Sequence, residues 1–243
     1  MILTYGDSKI GLVRKLNEDA IDLSVPSLFI LADGMGGYAG GQIASHIAVE
    51  QAAGFFTKDK EKTFSEASLK ESVLCANEAI LKEKKDNPNL SSMGTTMVMA
   101  AISQDTLYWA HVGDSRLYVM DEGQLSQITV DHSFVMELVT EGKISKEEMR
   151  FHPRKNEITR AVGIDDSLKV DTGHLTLKKG DFVLLCSDGL SGMVEDETIQ
   201  QVLLECPGRS EADLKEAGER LMDLVYEAGA RDNVSIILGY FKD

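Results

Sequence analysis

Long apolar runs, a basic amino-terminal leader and clustered cysteines are all missing from this 243-residue sequence. No apolar run approaches the roughly 18 residues that a membrane-spanning helix needs, and the start, MILTYGDSKIG, lacks the layout of a signal peptide. The three cysteines, Cys75, Cys186 and Cys206, are too few and too scattered for a disulfide framework or a thiolate zinc site. We therefore expect a cytoplasmic protein with reduced thiols and no membrane partner.

Basic residues are outnumbered, because 25 Lys and Arg against 40 Asp and Glu give a formal net charge of -15. Nucleic acids bind surfaces with excess Lys and Arg, so this charge argues against them as partners and favours divalent cations. An apolar content of 43% over this length can fill the core of one large domain. Since no linker, repeat or low-complexity tract interrupts the chain, we expect a single domain over residues 1–243.

Short apolar runs bounded by Gly, Asp and Ser are typical of β-strands. Such runs predict strands over residues 28–32, 96–102, 107–112, 117–120, 182–186 and 234–238. Apolar residues at helical spacing predict helices over residues 41–56, 65–85 and 212–228. Runs of strands with helices collected between them predict an α+β fold, in which helices cover the faces of antiparallel sheets.

An aspartate lies at one end of four of these strands: Asp33, Asp114, Asp188 and Asp232. For any one of them, a turn in which the carboxylate bonds nearby backbone is a sufficient explanation. Four together indicate a second possibility, a cluster of oxygen ligands of the kind that binds Mg²⁺ or Mn²⁺. Two such ions about 3.5 to 4 Å apart can activate water for in-line attack on a phosphate ester.

A second charged group lies in residues 11–20, GLVRKLNEDA. The planar guanidinium of Arg14 can bind phosphate through two parallel hydrogen bonds, while Glu18 and Asp19 can accept hydrogen bonds from waters on a metal. A solvated turn with local charge pairing is the alternative.

The glycine-rich stretch 28–41, LFILADGMGGYAGG, raises the alternative of a nucleotide site. It lacks the Gly-Lys-Ser/Thr ending of a P-loop, and no acidic residue is placed after it as a dinucleotide fingerprint needs. Gly34 has no side chain to crowd its carbonyl, so the loop suits close passage of the backbone beside a metal cluster.

Six short motifs occur along the chain in one order: Arg14-x-x-x-Glu18-Asp19, Asp33-Gly34-Met35-Gly36-Gly37, Gly94-Thr95-Thr96, Gly113-Asp114-Ser115-Arg116, Ser187-Asp188-Gly189 and Arg231-Asp232-Asn233. In this order the sequence resembles the metal-dependent protein phosphatases, the PPM or type 2C serine/threonine phosphatases, over essentially its whole length. Met35 stands where many eukaryotic members have a histidine, so the chain is similar to the compact bacterial members.

The resemblance implies a four-layer sandwich, with two antiparallel sheets packed face to face and α-helices on both outer sides. It also implies two core Mn²⁺ or Mg²⁺ ions, bridged by Asp33, with the Gly34 carbonyl on one ion and Asp188 and Asp232 on the other. Asp114, together with Asp188, would hold a possible third ion. Glu18 and Asp19 would hold metal-bound waters, and Arg14 would bind the substrate phosphate. From its adjacency, we expect Asn233 to support Asp232.

The implied reaction is direct attack of a metal-bridging hydroxide on phosphoserine or phosphothreonine, without a phosphoenzyme. No cysteine lies in a Cys-x5-Arg loop, so a thiolate nucleophile is not expected. Met35 cannot donate a proton to the leaving alkoxide. A metal-bound water is the first candidate for that acid and His152 the second, within a segment, residues 131–163, that resembles the flap of bacterial relatives.

The implied partners are phosphorylated proteins, with a eukaryotic-like Ser/Thr kinase as functional counterpart, and a monomer is expected. Two other functions stay open: a non-catalytic phosphoprotein-binding relative of the same fold, and a metal-dependent hydrolase of small phosphate esters. The intact set of Asp33, Asp188 and Asp232 argues against the first, and a preference for phosphopeptides over free nucleotides would argue against the second.

Overall fold

A computed structural model describes residues 2–37, 40–59, 62–208 and 210–242. Tyr38 and Ala39 of the glycine-rich loop lie outside the described residues. The described strands are β1 (Ile2–Lys9), β2 (Asp19–Asp22), β3 (Leu28–Met35), β4 (Gly94–Thr95), β5 (Met97–Ser103), β6 (Thr106–Val112), β7 (Arg116–Asp121), β8 (Gln124–Gln127), β9 (Asp171–Thr176), β10 (Phe182–Cys186) and β11 (Val234–Phe241). The described helices are α1 (Gly40–Thr57), α2 (Glu66–Asp86), α3 (Phe134–Thr140), α4 (Lys146–Met149), α5 (Asp188–Ser191), α6 (Asp196–Glu205) and α7 (Glu211–Glu227), with a 3-10 turn at Pro88–Leu90.

The strands form two sheets, and every described pairing within them is antiparallel. One sheet has the order β1-β11-β10-β7-β8, and the other β2-β3-β5-β6-β9 with β4 paired to β3. Alternate side chains of β3 point in opposite directions, as the two-residue period of a strand requires. Phe29 and Leu31 pack between the sheets, whereas Leu28 and Ile30 pack toward the helices.

Helices cover both outer faces of this pair of sheets. The α1 and α2 helices pack on β3 and β5, and the buried face of α2 carries Leu69, Val73 and Ile80 at helical spacing. The α6 and α7 helices pack on β10 and β11 at the opposite face. The predicted α+β four-layer sandwich is therefore confirmed. No helix in the described ranges is both long and apolar enough to cross a membrane.

Among the described residues, five strands and two helices form where the sequence pattern predicts none, namely β1, β2, β4, β8, β9, α5 and α6. Each residue of β1 is half-buried, so the segment has no alternation, and only its pairing with β11 makes it a strand. The β3 strand also runs past the predicted end at residue 32, because Gly34 and Met35 pair with β4. These differences come from tertiary pairing, which local pattern does not record.

Candidate active site

The antiparallel topology brings the four strand-end aspartates to one edge of the sandwich. The β3 and β6 strands run in the same direction, since both pair antiparallel to β5, so Asp33 and Asp114 share an edge. Asp188 follows β10, and Asp232 precedes its antiparallel neighbour β11, so these two residues also lie together. All four line one cavity of about 610 Å³, together with Glu18.

Most of the site residues predicted from sequence line this cavity. Arg14, Gly34 and Asn233 join the acidic group on its wall. The wall also contains residues that the sequence did not single out for the site: Lys15, Leu16, Asn156 and Ile158. As far as the described residues define the cavity, Asp19 and His152 are not on its wall.

The backbone of Asp33 is held in place by the Gly94-Thr95-Thr96 motif. Thr96 accepts a hydrogen bond from the Asp33 N–H through its Oγ1 at 3.0 Å, and its own N–H donates to the Asp33 carbonyl at 2.8 Å. The Thr95 hydroxyl donates to the same carbonyl at 2.8 Å. The motif therefore fixes the main chain from which the Asp33 carboxylate projects.

The carboxylates are close enough to oppose one another's ionisation. Loss of hydration, followed by the charges of Asp19, Asp188 and other neighbours, raises the pKa of Asp33 well above its usual value. The same two causes, burial and then the charge of Asp232, raise the pKa of Asp188 to about 6. Burial and Asp188 also raise the pKa of Asp114. A cation among these groups would remove the repulsion.

The donor set fits hard divalent cations, because every candidate side chain offers oxygen. Gly34 suits close approach of the backbone, since a Cβ there would lie 2.1 Å from the carbonyl oxygen of Gly41. Within the described ranges, no three His, Cys, Asp or Glu side chains already form a complete ion site. Ions bound here would therefore draw on backbone carbonyl and water oxygens as well as carboxylates, which is the usual habit of Mg²⁺.

Arg14 reaches the acidic group through a direct ion pair. Its Nη2 donates to Oδ2 of Asp232 at 2.7 Å, and nearly half of the Arg14 side chain is exposed at the cavity mouth. A metal ion at Asp232 would compete with this guanidinium for the carboxylate. Release from Asp232 would leave the Arg14 fork free for a phosphate group.

The Asn233 side chain forms three hydrogen bonds with the segment that carries Arg14, and we call these three bonds the Asn233 clasp. Its Nδ2 donates to the carbonyl oxygens of Ile10 and Leu16, both at 2.9 Å, and its Oδ1 accepts from the N–H of Glu18 at 2.9 Å. The Asp232 carboxylate accepts from the Asn233 backbone N–H at 2.8 Å. The amide thus positions the Arg14 loop, while the expected support of Asp232 comes from the main chain of Asn233.

Asp19 lies behind the cavity wall. Its Oδ2 accepts hydrogen bonds from the hydroxyls of Ser187 at 2.9 Å and Ser235 at 2.7 Å. Burial raises its pKa to about 7, although these two hydrogen bonds favour the ionised form. Glu18, in contrast, lines the cavity, and burial raises its pKa as well.

Residues 131–163, the segment that resembles a flap, lie at the same edge of the sandwich and contribute to the cavity wall. The sequence pattern predicts two short helices in this segment, over residues 134–140 and 145–150, and they correspond to α3 and α4. The Nδ1 of His152 accepts from the Arg154 N–H at 3.2 Å, and its ring centroid lies 6.0 Å from that of Phe134. Asn156 and Ile158, rather than His152, are the flap residues on the cavity wall.

Comparison with known proteins gives the family. A family model described as protein phosphatase 2C matches residues 13–236. This chain belongs to the protein phosphatase 2C family. The family predicted from the six motifs is therefore confirmed.

Relatives of this protein phosphatase 2C chain include the serine/threonine protein phosphatase PstP of Mycobacterium tuberculosis, which is 38% identical over 252 aligned residues. That alignment covers 100% of this chain but 46% of PstP, so the chain spans about half the length of this relative. The serine/threonine phosphatase stp of Listeria monocytogenes is 34% identical, with 87% of this chain and 83% of the relative covered. A crystal structure of the PstP catalytic domain in complex with two manganese ions is 35% identical, with a TM-score of 0.88 and coverage of 100% and 99%.

We expect Asn233→Ala to lower kcat/KM for a phosphopeptide about tenfold to a hundredfold, because three hydrogen bonds that position the Arg14 loop are lost. Faster proteolysis within residues 10–16 and a lower melting temperature should accompany this loss, because Asn233 is buried and its three side-chain hydrogen bonds disappear. The exposed Asn87→Ala, at the carboxyl end of α2, is the matched control. Unchanged kinetics in Asn233→Ala would show that the clasp does not position Arg14.

One further residue that sequence reasoning missed is His132, at the start of the flap. Its Nδ1 accepts from the Gly113 N–H at 3.1 Å, and its backbone N–H donates to the Gly113 carbonyl at 2.7 Å. Its Nε2 lies 3.0 Å from Oδ2 of Asp171. His132 therefore joins the flap to the turn that presents Asp114, and its ring lies 4.7 Å from that of the buried His111.

His111 should make the protein sensitive to acid. Burial, and then His132, lowers the pKa of His111 from 6.5 to about 3. The unfolded chain therefore binds a proton more readily, and the free energy of unfolding falls as the pH drops from about 6.5 toward 3. Between pH 7 and pH 4.5, we expect the free energy of unfolding, measured in urea, to fall by about 2 to 3 kcal/mol more in wild type than in His111→Leu. His46→Leu on the exposed side of α1 is the control, and equal losses in wild type and His111→Leu would refute the assignment.

Proposed function

We propose that this chain is a protein serine/threonine phosphatase that hydrolyses phosphoserine and phosphothreonine with the help of Mn²⁺ or Mg²⁺. The observation that carries this proposal is the meeting of four strand-end aspartates and Arg14 in one cavity. The names of the relatives and the two manganese ions of the PstP catalytic domain support the same function.

The ligand roles are those that the family resemblance implies, and the shared cavity supports them. Asp33 would bridge two ions, with the Gly34 carbonyl on the first and Asp188 and Asp232 on the second. Asp114 would join Asp188 at a third, weaker ion. When bound, such ions lower the pKa of water to make a nucleophile and neutralise the phosphate oxygens.

Other residues at the site would orient the reactants. Arg14 would hold two phosphate oxygens through its planar fork, and Glu18 would accept hydrogen bonds from waters at the site. Asp19 would do the same only through Oδ1, which has no hydrogen-bond partner among the described residues, because Ser187 and Ser235 already bond its Oδ2. The leaving alkoxide needs a proton that Met35 cannot supply. A water at the site would be the first candidate for that acid and His152 the second, because the described cavity wall does not include His152.

We also propose the setting in which this activity operates. The substrates would be phosphorylated proteins in the cytoplasm, and a eukaryotic-like Ser/Thr kinase would supply them. Residues 1–243 would act as one catalytic domain and as a monomer, with residues 131–163 forming its flap.

Phosphate release from a phosphothreonine peptide tests this function. The protein is stripped of metal with a chelator and then titrated with Mn²⁺ or Mg²⁺, beside Asp188→Ala and the control Asp223→Ala on the exposed side of α7. We expect metal-dependent release that Asp188→Ala loses and Asp223→Ala keeps. Peptide binding without release would favour the non-catalytic alternative, and faster hydrolysis of free nucleotides than of peptides would favour the small-ester hydrolase.

A further inference from the structure

Exposed apolar side chains are concentrated beside the cavity. Eight large apolar side chains are exposed among the described residues, and four of them fall within one seven-residue segment, residues 10–16. These are Ile10, Leu12, Val13 and Leu16, with exposures of 38%, 64%, 66% and 47%. We name this segment the 10–16 loop. Such concentrations of exposed apolar surface mark sites that bind a partner.

The backbone of the 10–16 loop is held firmly while its side chains stay exposed. Gly11 has a φ of +77°, and a Cβ there would lie 2.3 Å from the carbonyl oxygen of Asp232, so only glycine fits at this close approach. The Leu12 N–H donates to the carbonyl of Ala230 at 2.8 Å. With the Asn233 clasp at both ends, these contacts present Leu12 and Val13 to solvent in a fixed position.

The loop is continuous with the cavity wall. Lys15 and Leu16 line the cavity, and Arg14, the proposed phosphate ligand, lies between them and Val13. Met35 and Ile158 provide apolar surface elsewhere on the same wall. A peptide whose phosphate meets Arg14 would therefore place the residues next to its phosphorylated side chain against Leu12 and Val13.

We propose that the 10–16 loop binds a large apolar side chain adjacent to the phosphorylated residue of a protein substrate. The inference rests on the proposed phosphatase function and names a feature of its substrates. A lipid bilayer is the alternative binding partner, because apolar residues next to Arg14 and Lys15 could also contact a membrane surface. The continuity of the loop with the catalytic cavity favours the peptide, and the net charge of -15 opposes an anionic membrane.

Two phosphothreonine peptides test this proposal. They are identical except that one carries Leu and the other Ser at the positions flanking the phosphothreonine. Burial of part of a leucine side chain should make kcat/KM of wild type about tenfold higher for the Leu peptide. Leu12→Ser/Val13→Ser should abolish this ratio, whereas Leu204→Ser, at an exposed leucine on α6, should keep it. The ratio is the readout because a general folding defect would lower both rates together.

The outcomes separate this inference from the proposed function. If wild type with Mn²⁺ hydrolyses neither peptide nor p-nitrophenyl phosphate, the phosphatase function itself fails. If it hydrolyses both peptides with equal kcat/KM, or if Leu12→Ser/Val13→Ser keeps the preference, only the inference is overturned. An unchanged peptide ratio, together with a loss of sedimentation with phosphatidylglycerol vesicles in the double variant, would assign the loop to a membrane surface instead.

Discussion

Asp33→Asn should reduce phosphopeptide hydrolysis by at least about a thousandfold while making the metal-stripped protein more stable. The rate falls because the bridging carboxylate is the one group proposed to contact both core ions, and each ion contributes several kcal/mol of charge stabilisation in the transition state. The stability rises because a neutral amide removes one of several buried carboxylates that repel one another. Burial and this repulsion already raise the pKa of Asp33 in the wild-type protein.

The rate of phosphopeptide turnover, together with the melting temperature in chelator and in excess Mn²⁺, checks both halves of this prediction. Without metal, Asp33→Asn should melt a few degrees above wild type, because each kcal/mol of added stability raises the melting temperature by about 2 to 4 °C. With Mn²⁺ at about a hundred times its Kd, wild type should gain about 2.7 kcal/mol and the variant much less. Near wild-type turnover in Asp33→Asn would refute the bridging role, and a lower melting temperature in chelator would refute the repulsion.

Arg14→Met should have opposite effects on substrate and metal. We expect kcat/KM for a phosphopeptide to fall about a hundredfold, since a bidentate, charge-assisted contact with phosphate is lost. The Mn²⁺ concentration for half-maximal activity should fall about two- to fivefold, because the ion pair at 2.7 Å no longer competes for Asp232. Full activation curves with Mn²⁺ at several peptide concentrations give both constants.

Arg14→Lys separates charge from shape in this contact. Lysine keeps the positive charge but has no planar fork, so kcat/KM should lie between those of wild type and Arg14→Met. If Arg14→Met binds Mn²⁺ no more tightly than wild type, Arg14 does not compete with metal for Asp232. If its kcat/KM is unchanged, Arg14 is not the phosphate ligand.

The sequence was sufficient to predict those parts of the fold that depend on local pattern. The β10 strand is apolar at all five positions because it is covered on both faces, and such a run is visible without a structure. The aspartates at strand ends were equally visible, and so was the order of the motifs. The predicted sandwich and the predicted family followed from these features.

Features that depend on distant contacts could not be predicted from sequence. The β1 strand has no alternation, and its partner β11 lies at the other end of the chain. His132 resembles any polar residue at the start of a loop until its ring is seen to accept from the Gly113 N–H. The Asn233 side chain was expected to support its neighbour, but its bonds go to carbonyls 217 and 223 residues away.

The Asn233 clasp has a consequence for synthesis of the protein on the ribosome. The loop that presents Arg14 is translated more than 200 residues before the amide that holds it. At about 5 to 20 residues per second, many seconds separate the two events. A nascent chain therefore has no Asn233 side chain to hold the 10–16 loop until residue 233 has been synthesised, so the position of Arg14 is fixed only late in translation.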